Sequence, residues 1–398
     1  MSVGRRRVFV RGVGAVTPLG ATWPLTARAL EGGQCSIRTV SEFDVTGYPC
    51  TTASAMSGVT GSDRRMPLAL AAAREAWLQS GLEKGARRTG VFVGAESGRP
   101  SFAAFVGMAK AAGSGTSFAR EKFSLDERTL AFRGAAASPA TVACALASEY
   151  AASGSVMTLS LACASGAAAI IEAVRAIRLG DCDVALCGGV SADVDPFMLA
   201  GFGLLGALSG KGVSCPFDVR RDGFVLGEGA AMLVLDTEPT GAIAEIQGIG
   251  RTLDAHHLTA PEPSGEGAAR AMRLALGEAR LAAVDYVQAH GTSTPLNDAV
   301  EAKALRQTLS HNLDRALVSS SKGALGHTIA ASGALGLLCA VEAIAHGIVF
   351  PTVGLREPDS DCELPHVMGA CVRREVTTAL SNAFAFGGAN CCIVAGRA

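Results

Sequence analysis

Along nearly the whole chain, short β-branched runs alternate with alanine-rich stretches of helical period, and that rhythm leaves few folds open. A chain that returns to one sheet through helices builds βαβ units, and the sheet it makes is mainly parallel and buried on both faces. RRVFVRGVGAV reads as a strand ending in a glycine turn, and TGVFVGAES, SVMTLSLAC, DVALCGGVSA and AAMLVLDTE read as further strands. Helices are expected at MPLALAAAREAWLQSGL, closed by Gly81, and at ASGAAAIIEAVRAIRLG, closed by Gly180. The theme then repeats, with strands at AIAEIQGIGRTLDA, VDYVQAHGTS, ALVSSSKGAL, TALSNAFAF and CCIVAG and helices at GAARAMRLALGEARL and GALGLLCAVEAIAHG. In each half a strand delivers a Ser-rich or Cys-bearing turn into a small-residue helix: SLACASGAAAI in the first, SSSKGALGHTIAASGAL in the second. This suggests an internal duplication, with one half over residues 1–240 and the other over 241–398. Only Ala112 to Ser138 lacks the pattern and reads as loops and short helices.

The chain's 398 residues exceed what one hydrophobic core usually supports, which agrees with two halves. With 48 glycines but only three Tyr and two Trp, the interior must be filled by small aliphatics and close backbone contacts. A formal net charge of -1, and no basic run longer than Arg5–Arg7, gives nucleic-acid binding no support. The twelve cysteines are scattered through apolar segments without a CxxC, which fits reduced thiols in the cytoplasm better than a disulfide framework. The N-terminus lacks a signal-peptide core. The uncharged run Gly323–Val341 is long enough to cross a bilayer, but His327, Thr328 and Ser332 interrupt it and Gly and Ala dominate it. A helix buried in a large core is the expectation.

The stretch LACASGAAAI places Cys163 at the start of a helix, where free backbone N–H groups and the positive end of the dipole favour a thiolate and a lowered pKa. A cysteine at a strand-to-helix junction is more often structural, but two histidines shift the balance. His290 follows the strand VDYVQA, and His327 follows the strand and turn Val318–Gly326. A Cys and two His at the carboxyl ends of apolar strands suggest nucleophilic catalysis, with imidazoles donating hydrogen bonds to developing negative charge. No HxxxH or CxxC pair supports a metal site.

These residues resemble the β-ketoacyl-acyl-carrier-protein synthases, condensing enzymes of the thiolase superfamily, in the type with a Cys-His-His triad. The matching segments run in the family's order: RRVFVRGVGAVTPLG, LACASGAAAI, CPFDVRRDGFVLGEGAA, LDAHHLTAPEPSGEGA, AHGTSTPLNDAVEAKAL, SSSKGALGHTIAASG and SNAFAFGGAN. The resemblance implies an α/β thiolase-like fold, two similar βαβαβ halves stacked in an αβαβα arrangement. It implies that Cys163 takes an acyl chain from a carrier-protein thioester, with the N–H groups of Cys163 and Phe386 as oxyanion hole. His290 and His327, as neutral imidazoles, would then stabilise the enolate left when malonyl thioester loses CO2. Lys322 would be the active-site lysine and Asp298 its carboxylate partner. Thr292, Thr294 and Thr259 would hold the pantetheine arm. Phe386 would gate the site, with Gly387 and Gly388 giving its loop freedom and Asp254 on the opposing loop. Arg64, Arg65 and Lys211 would be the basic dock for an acidic carrier protein.

The resemblance implies no bound cofactor, since substrates arrive on the phosphopantetheine of acyl carrier protein, and a homodimer, with a heterodimer of related subunits also open. One departure stands out: nine residues after His327 the family usually has a glutamate, and this chain has Gly336, with Glu342 nearly two turns further on. That absence leaves room for a specialised branch in polyketide or aryl-polyene-like assembly, or for an acyl-transfer role. A non-catalytic chain-length partner would lack the cysteine that Cys163 supplies. A coenzyme A thiolase would use a second cysteine near the C-terminus, where Cys391 and Cys392 lie in an apolar strand.

Overall fold

In the computed structural model, which describes residues 6–59, 61, 63–99, 102–113 and 138–398, ten strands form one continuous sheet. They are β1 (Phe9–Val16), β2 (Thr89–Gly94), β3 (Val156–Leu159), β4 (Val184–Ser191), β5 (Gly229–Asp236), β6 (Ala244–Leu253), β7 (Tyr286–Gln288), β8 (Leu317–Ser319), β9 (Thr378–Phe384) and β10 (Ala389–Gly396). Each overlaps a run expected from the sequence. Most of the stretch between Ala112 and Ser138, which gave no pattern, lies outside the described residues.

The order across the sheet is β8-β7-β9-β10-β6-β1-β5-β4-β2-β3. Read outward from its middle, the same arrangement occurs twice, as β1-β5-β4-β2-β3 and as β6-β10-β9-β7-β8. In each half two antiparallel ladders are followed by two parallel ones. A short antiparallel ladder, Phe9 with Glu245 and Val10 with Ala244, joins the halves. The sheet is therefore mixed rather than mainly parallel. The reason is local: β10 follows β9 through the turn Ala385–Gly388, far too short for the crossover that a parallel neighbour needs.

Six helices complete the layers: α1 (Arg65–Ser80), α2 (Thr141–Glu149), α3 (Ser165–Leu179), α4 (Glu266–Ala279), α5 (Pro295–Leu309) and α6 (Ser332–His346). α1 and α2 cover the outer face of the first five strands, and α4 and α5 that of the second five. α3 and α6 lie between the halves and against each other, giving helix, sheet, helix, sheet, helix. The apolar segment Ile329–His346, long enough to cross a membrane, is 83% buried in this central layer. Its small residues are what the position requires. A Cβ on Gly166 of α3 would stand 2.7 Å from the Ala330 carbonyl oxygen, and one on Gly333 of α6 would stand 2.7 Å from the backbone nitrogen of Ala167. The two helix starts thus meet backbone to backbone.

That contact can be tested by filling it. Overpacking ordinarily costs about 1–3 kcal/mol, and here the obstacle is main chain that cannot turn aside. Gly166→Val should lower the unfolding temperature by at least about 5 °C, at roughly 2–4 °C per kcal/mol for a sizeable domain. Gly201→Ala, in the helix Pro196–Leu204 where a Cβ meets nothing within 4 Å, should not lower it. Equal melting curves for the two variants would show that the central helices can part freely.

Candidate active site

Four turns at the carboxyl ends of strands converge over the central helices. Cys163 sits in the 3-10 turn Ala162–Ala164 between β3 and α3, entered through Ala162 at φ 45°. His290 follows β7, His327 lies between the short helix Lys322–Leu325 and α6, and Phe386 lies in the β9–β10 turn. Cys163, His290, His327 and Phe386 line one cavity of about 340 Å³, together with Thr259, Thr292, Thr294 and Asp254. The imidazoles of His290 and His327 meet edge to face with centroids 5.5 Å apart, and Phe224 packs edge-on against His327 at 5.1 Å.

Behind His290 lies Lys322, buried, its ammonium donating to the His290 carbonyl oxygen and standing 3.3 Å from Nδ1. Burial pulls the Lys322 pKa down to about 8, while the carboxylate of Glu301 opposes that fall. Glu301, on α5, is fully buried and accepts the N–H groups of His290 at 2.8 Å and Gly291 at 2.7 Å and the amide of Asn382 at 3.1 Å. The sequence reading passed over this residue. The one cue available was its i,i+3 spacing from Asp298 on a single helix face.

Asp298 is expected to pair with Lys322, but among the described residues it makes no direct bond to the ammonium, and it does not line the cavity. It is fully buried, and its oxygens accept the N–H groups of Thr292 at 2.8 Å, Ser293 at 3.1 Å and Phe217 at 2.8 Å. It therefore holds the turn that presents Thr292 and Thr294, whose hydroxyls lie 2.9 Å apart.

Both histidines are kept neutral, their pKa values pushed well below the ordinary range by burial and by the Lys322 charge. On the other side of His327, Nδ1 lies 2.8 Å from the Ser332 hydroxyl, which lies 3.1 Å from that of Thr328.

Cys163 overturns one expectation. Burial pushes its thiol up to about 12, with the Lys322 charge and the backbone N–H groups of Phe386 and Cys163 pulling the other way. The helix start was expected to lower this pKa, but desolvation of the sulfur, only 5% exposed, outweighs it.

The Phe386 loop is clipped to its neighbour: Asp254 N–H donates to the Gly388 carbonyl at 2.9 Å, Gly387 N–H to the Leu258 carbonyl at 2.7 Å, and the Asn390 amide to Asp254 at 2.6 Å. Gly387 and Gly388 have φ 82° and 78°, which a residue with a side chain rarely adopts.

The basic dock is largely withdrawn. Arg64 makes a two-pronged pair, 2.6 and 2.8 Å, with the fully buried Glu228, and Arg65 is 5% exposed and paired with Asp63 at 2.6 Å. These arginines fasten loops inside the protein. Lys211 is exposed and sits by the cavity rim, its backbone N–H 3.3 Å from Asp222, a residue of the cavity wall.

At Gly336 a Cβ would meet the Ser381 hydroxyl at 3.3 Å and Gln288 at 3.4 Å, and Gln288 in turn accepts from the Tyr286 hydroxyl at 2.5 Å. Neutral groups fill this region. Glu342 is engaged elsewhere, accepting from the Trp23 indole at 2.9 Å and pairing with His346. Cys391 and Cys392 are fully buried in β10 and do not line the cavity. Among the described residues no group of His, Cys, Asp or Glu is placed to hold a metal ion.

Comparison with known proteins follows the two halves. The beta-ketoacyl synthase N-terminal domain matches residues 5–240 and the C-terminal domain residues 243–356. The chain is 32% identical over 99% of its own length and 99% of the relative's to a 3-oxoacyl-[acyl-carrier-protein] synthase 2 of Coxiella burnetii. It is similar in structure to the ishigamide ketosynthase/chain length factor, with TM-score 0.87 and 30% identity over 99% of this chain and 100% of that one. A type II PKS acyl-carrier protein complex with its ketosynthase, bound to the hexaketide, matches with TM-score 0.85 and 26% identity over 99% and 100% of the two chains.

The buried thiol has a direct readout. Iodoacetamide labelling at Cys163, followed by peptide mass spectrometry, should quicken about tenfold per pH unit from pH 6 to about 7.5, before Lys322 loses its charge near pH 8, because only the thiolate reacts. Lys322→Met should slow it most below about pH 8, where the lysine still carries the charge that pulls the thiol pKa down. A rate that does not rise between pH 6 and about 7.5 would show a thiolate already formed at rest.

Proposed function

The chain belongs to the β-ketoacyl synthase family, and we propose that it is a decarboxylating 3-oxoacyl-[acyl-carrier-protein] synthase, an acyltransferase of fatty acid or polyketide assembly. The observation that carries this reading is the meeting of Cys163, His290 and His327 in one cavity, which Phe386 also lines.

In the first half-reaction Cys163 attacks an acyl thioester on the carrier protein's phosphopantetheine. The tetrahedral oxyanion takes hydrogen bonds from the N–H groups of Cys163 and Phe386. The pantetheine sulfur leaves, and the proton lost by Cys163 ends on it. Transfer from one thiol to another needs no net base, which suits a nucleophile that rests protonated.

In the second half-reaction malonyl thioester occupies the same channel, its arm along Thr259, Thr292 and Thr294. As the bond to the carboxylate breaks and CO2 departs, the thioester oxygen gains charge and takes N–H bonds from His290 and His327. The carbanion then attacks the acyl carbonyl on Cys163, and the Cys163 thiolate leaves and takes a proton from solvent, the one proton the half-reaction consumes. Lys322 and Glu301 act from behind, fixing the side chain and backbone of His290. Phe386, with Asp254, Gly387 and Gly388, gates the entry.

The partner is an acyl carrier protein, as one structurally similar ketosynthase is seen with its own. Lys211 at the rim is the basic residue proposed to meet it. A homodimer through edge strand β3 is proposed because that strand exposes Val156 at 41% and Met157 at 42%, an apolar edge that an unpaired sheet does not leave open. A heterodimer is the second reading, favoured by the likeness to a ketosynthase/chain length factor; the nucleophile Cys163 makes this chain the catalytic member. The two halves, 1–240 and 241–398, are proposed as the two domains, the first bringing the nucleophile and the second both histidines. The cytoplasm is the proposed location, in keeping with twelve unpaired cysteines.

Intact mass after incubation with acyl-carrier protein tests the first step, and added malonyl-carrier protein tests the second. Wild type should gain the acyl mass and Cys163→Ala should not. His290→Ala and His327→Ala should load but lose at least about 100-fold in β-ketoacyl and CO2 release, the scale of losing one donor to a developing oxyanion. A wild-type protein that never acylates would overturn the reading.

A further inference from the structure

The two central helices begin alike. Ala-Ser-Gly-Ala occurs at 164–167 and again at 331–334, each time just after a 3-10 turn entered through a residue of positive φ, Ala162 at 45° and Ile329 at 39°. Yet the two serines do different things. Ser165 serves its own turn, its hydroxyl accepting the Leu161 N–H at 2.8 Å, with the Ala162 carbonyl at 2.7 Å and the Glu96 carboxylate at 3.1 Å as acceptors for its proton. The Ser332 hydroxyl makes no such turn bond among the described residues, though the same turn forms. It reaches Nδ1 of His327 at 2.8 Å and the Thr328 hydroxyl at 3.1 Å.

The direction of this chain of hydroxyls follows from counting protons. If Thr328 donates to Ser332 and Ser332 donates to Nδ1, every hydroxyl proton has an acceptor. In the reverse direction His327 donates to Ser332 and Ser332 to Thr328, and the Thr328 O–H is left with no acceptor among the described residues at 1% exposure. Buried hydroxyls are seldom left so, because the group gives up water and gains nothing. Nδ1 therefore accepts, and the one proton of the neutral imidazole sits on Nε2. The ring packs edge to face against both Phe224 and His290. His290 reaches the same tautomer by another device, an ammonium at its Nδ1, which can only donate.

We propose that Ser332, backed by Thr328, is a positioning residue: its hydroxyl holds His327 in the tautomer that presents Nε2–H to the thioester oxygen as the enolate forms. This rests on the condensing reaction proposed above. It predicts an effect confined to the malonyl half-reaction, since loading of Cys163 uses the Cys163 and Phe386 N–H groups instead.

The test compares wild type, Ser332→Ala, Ser332→Thr and Thr328→Val, with hexanoyl- and malonyl-carrier protein as substrates. Ser332→Ala should lower kcat for malonyl decarboxylation and condensation about tenfold with KM within twofold, less than removing a donor outright, because the tautomer is unbiased rather than lost. The rate of hexanoyl loading, by intact mass, should stay within twofold. Ser332→Thr, which keeps the hydroxyl, should recover at least half of the rate. In parallel, nitrogen-15 NMR of histidine-labelled protein, assigned with His327→Ala, should show Nε2 protonated and Nδ1 bare in wild type and a mixture in Ser332→Ala.

A protonated Nδ1 in wild type, or unchanged kcat in a folded Ser332→Ala, would overturn the proposal. Equal loss of loading and condensation would likewise assign Ser332 to the fold alone. If Ser332→Ala does not fold, the wild-type spectrum and Thr328→Val decide. A wild type that fails to load or condense refutes the reaction, while the NMR still answers for the tautomer.

Discussion

The backbone-to-backbone meeting of α3 and α6 is the constraint on which the rest depends. Gly166 and Gly333 let the starts of the two helices touch, and Cys163 and His327 each stand a few residues before those starts. A side chain at either glycine would open the crossing and carry the nucleophile away from the imidazole. Protein interiors pack too densely to absorb such a shift locally. The abundance of Ala and Gly in both helices is the sequence-level face of this requirement, because larger residues would hold the sheets apart.

The duplicated topology explains why one site needs both halves. Each half offers the same turn before its central helix, and only one of the two turns carries a thiol. Cys163 occupies the place that Ala330 holds in the second half, and Ser165 the place of Ser332. The second half also supplies both imidazoles, the lysine and the threonines. Division of labour between equivalent positions follows from their geometry: both turns end near the crossing, so a nucleophile from one meets the acid and hydrogen-bond groups of the other.

Much of this was legible in the sequence, and the failures share a cause. Strands and the Cys-His-His set could be read because each depends on a local pattern, an apolar run ending in a small turn. Helix α5 and its Glu301 were missed because a carboxylate on a helix looks like a solvated face until the buried backbone N–H groups of His290 and Gly291 are found opposite it. Arg64 looked like a docking charge because its partner, Glu228, lies far along the chain and closes on it only in the folded state. The antiparallel members of the sheet were hidden too, since a buried strand has the same composition whichever way its neighbour runs. The Cys163 pKa went the wrong way because a helix start can be seen in sequence and the burial that opposes it cannot.

The charges around the site bear on the glutamate that Gly336 replaces. Among the described residues no carboxylate pairs directly with the buried Lys322: Glu301 and Asp298 spend their oxygens on backbone N–H groups and on the side chains of Asn382 and Asn297. A carboxylate paired directly with the ammonium would hold it away from His290 and cancel much of its field. Here the ammonium donates to the His290 carbonyl and stands 3.3 Å from Nδ1, and its charge reaches Cys163 and both imidazoles. That charge opposes the burial that raises the thiol pKa and helps keep the histidines neutral, the state in which they donate. Gly336 is thus compatible with condensation in this chain, because the work of orienting the histidines is shared between one cation and a pair of hydroxyls.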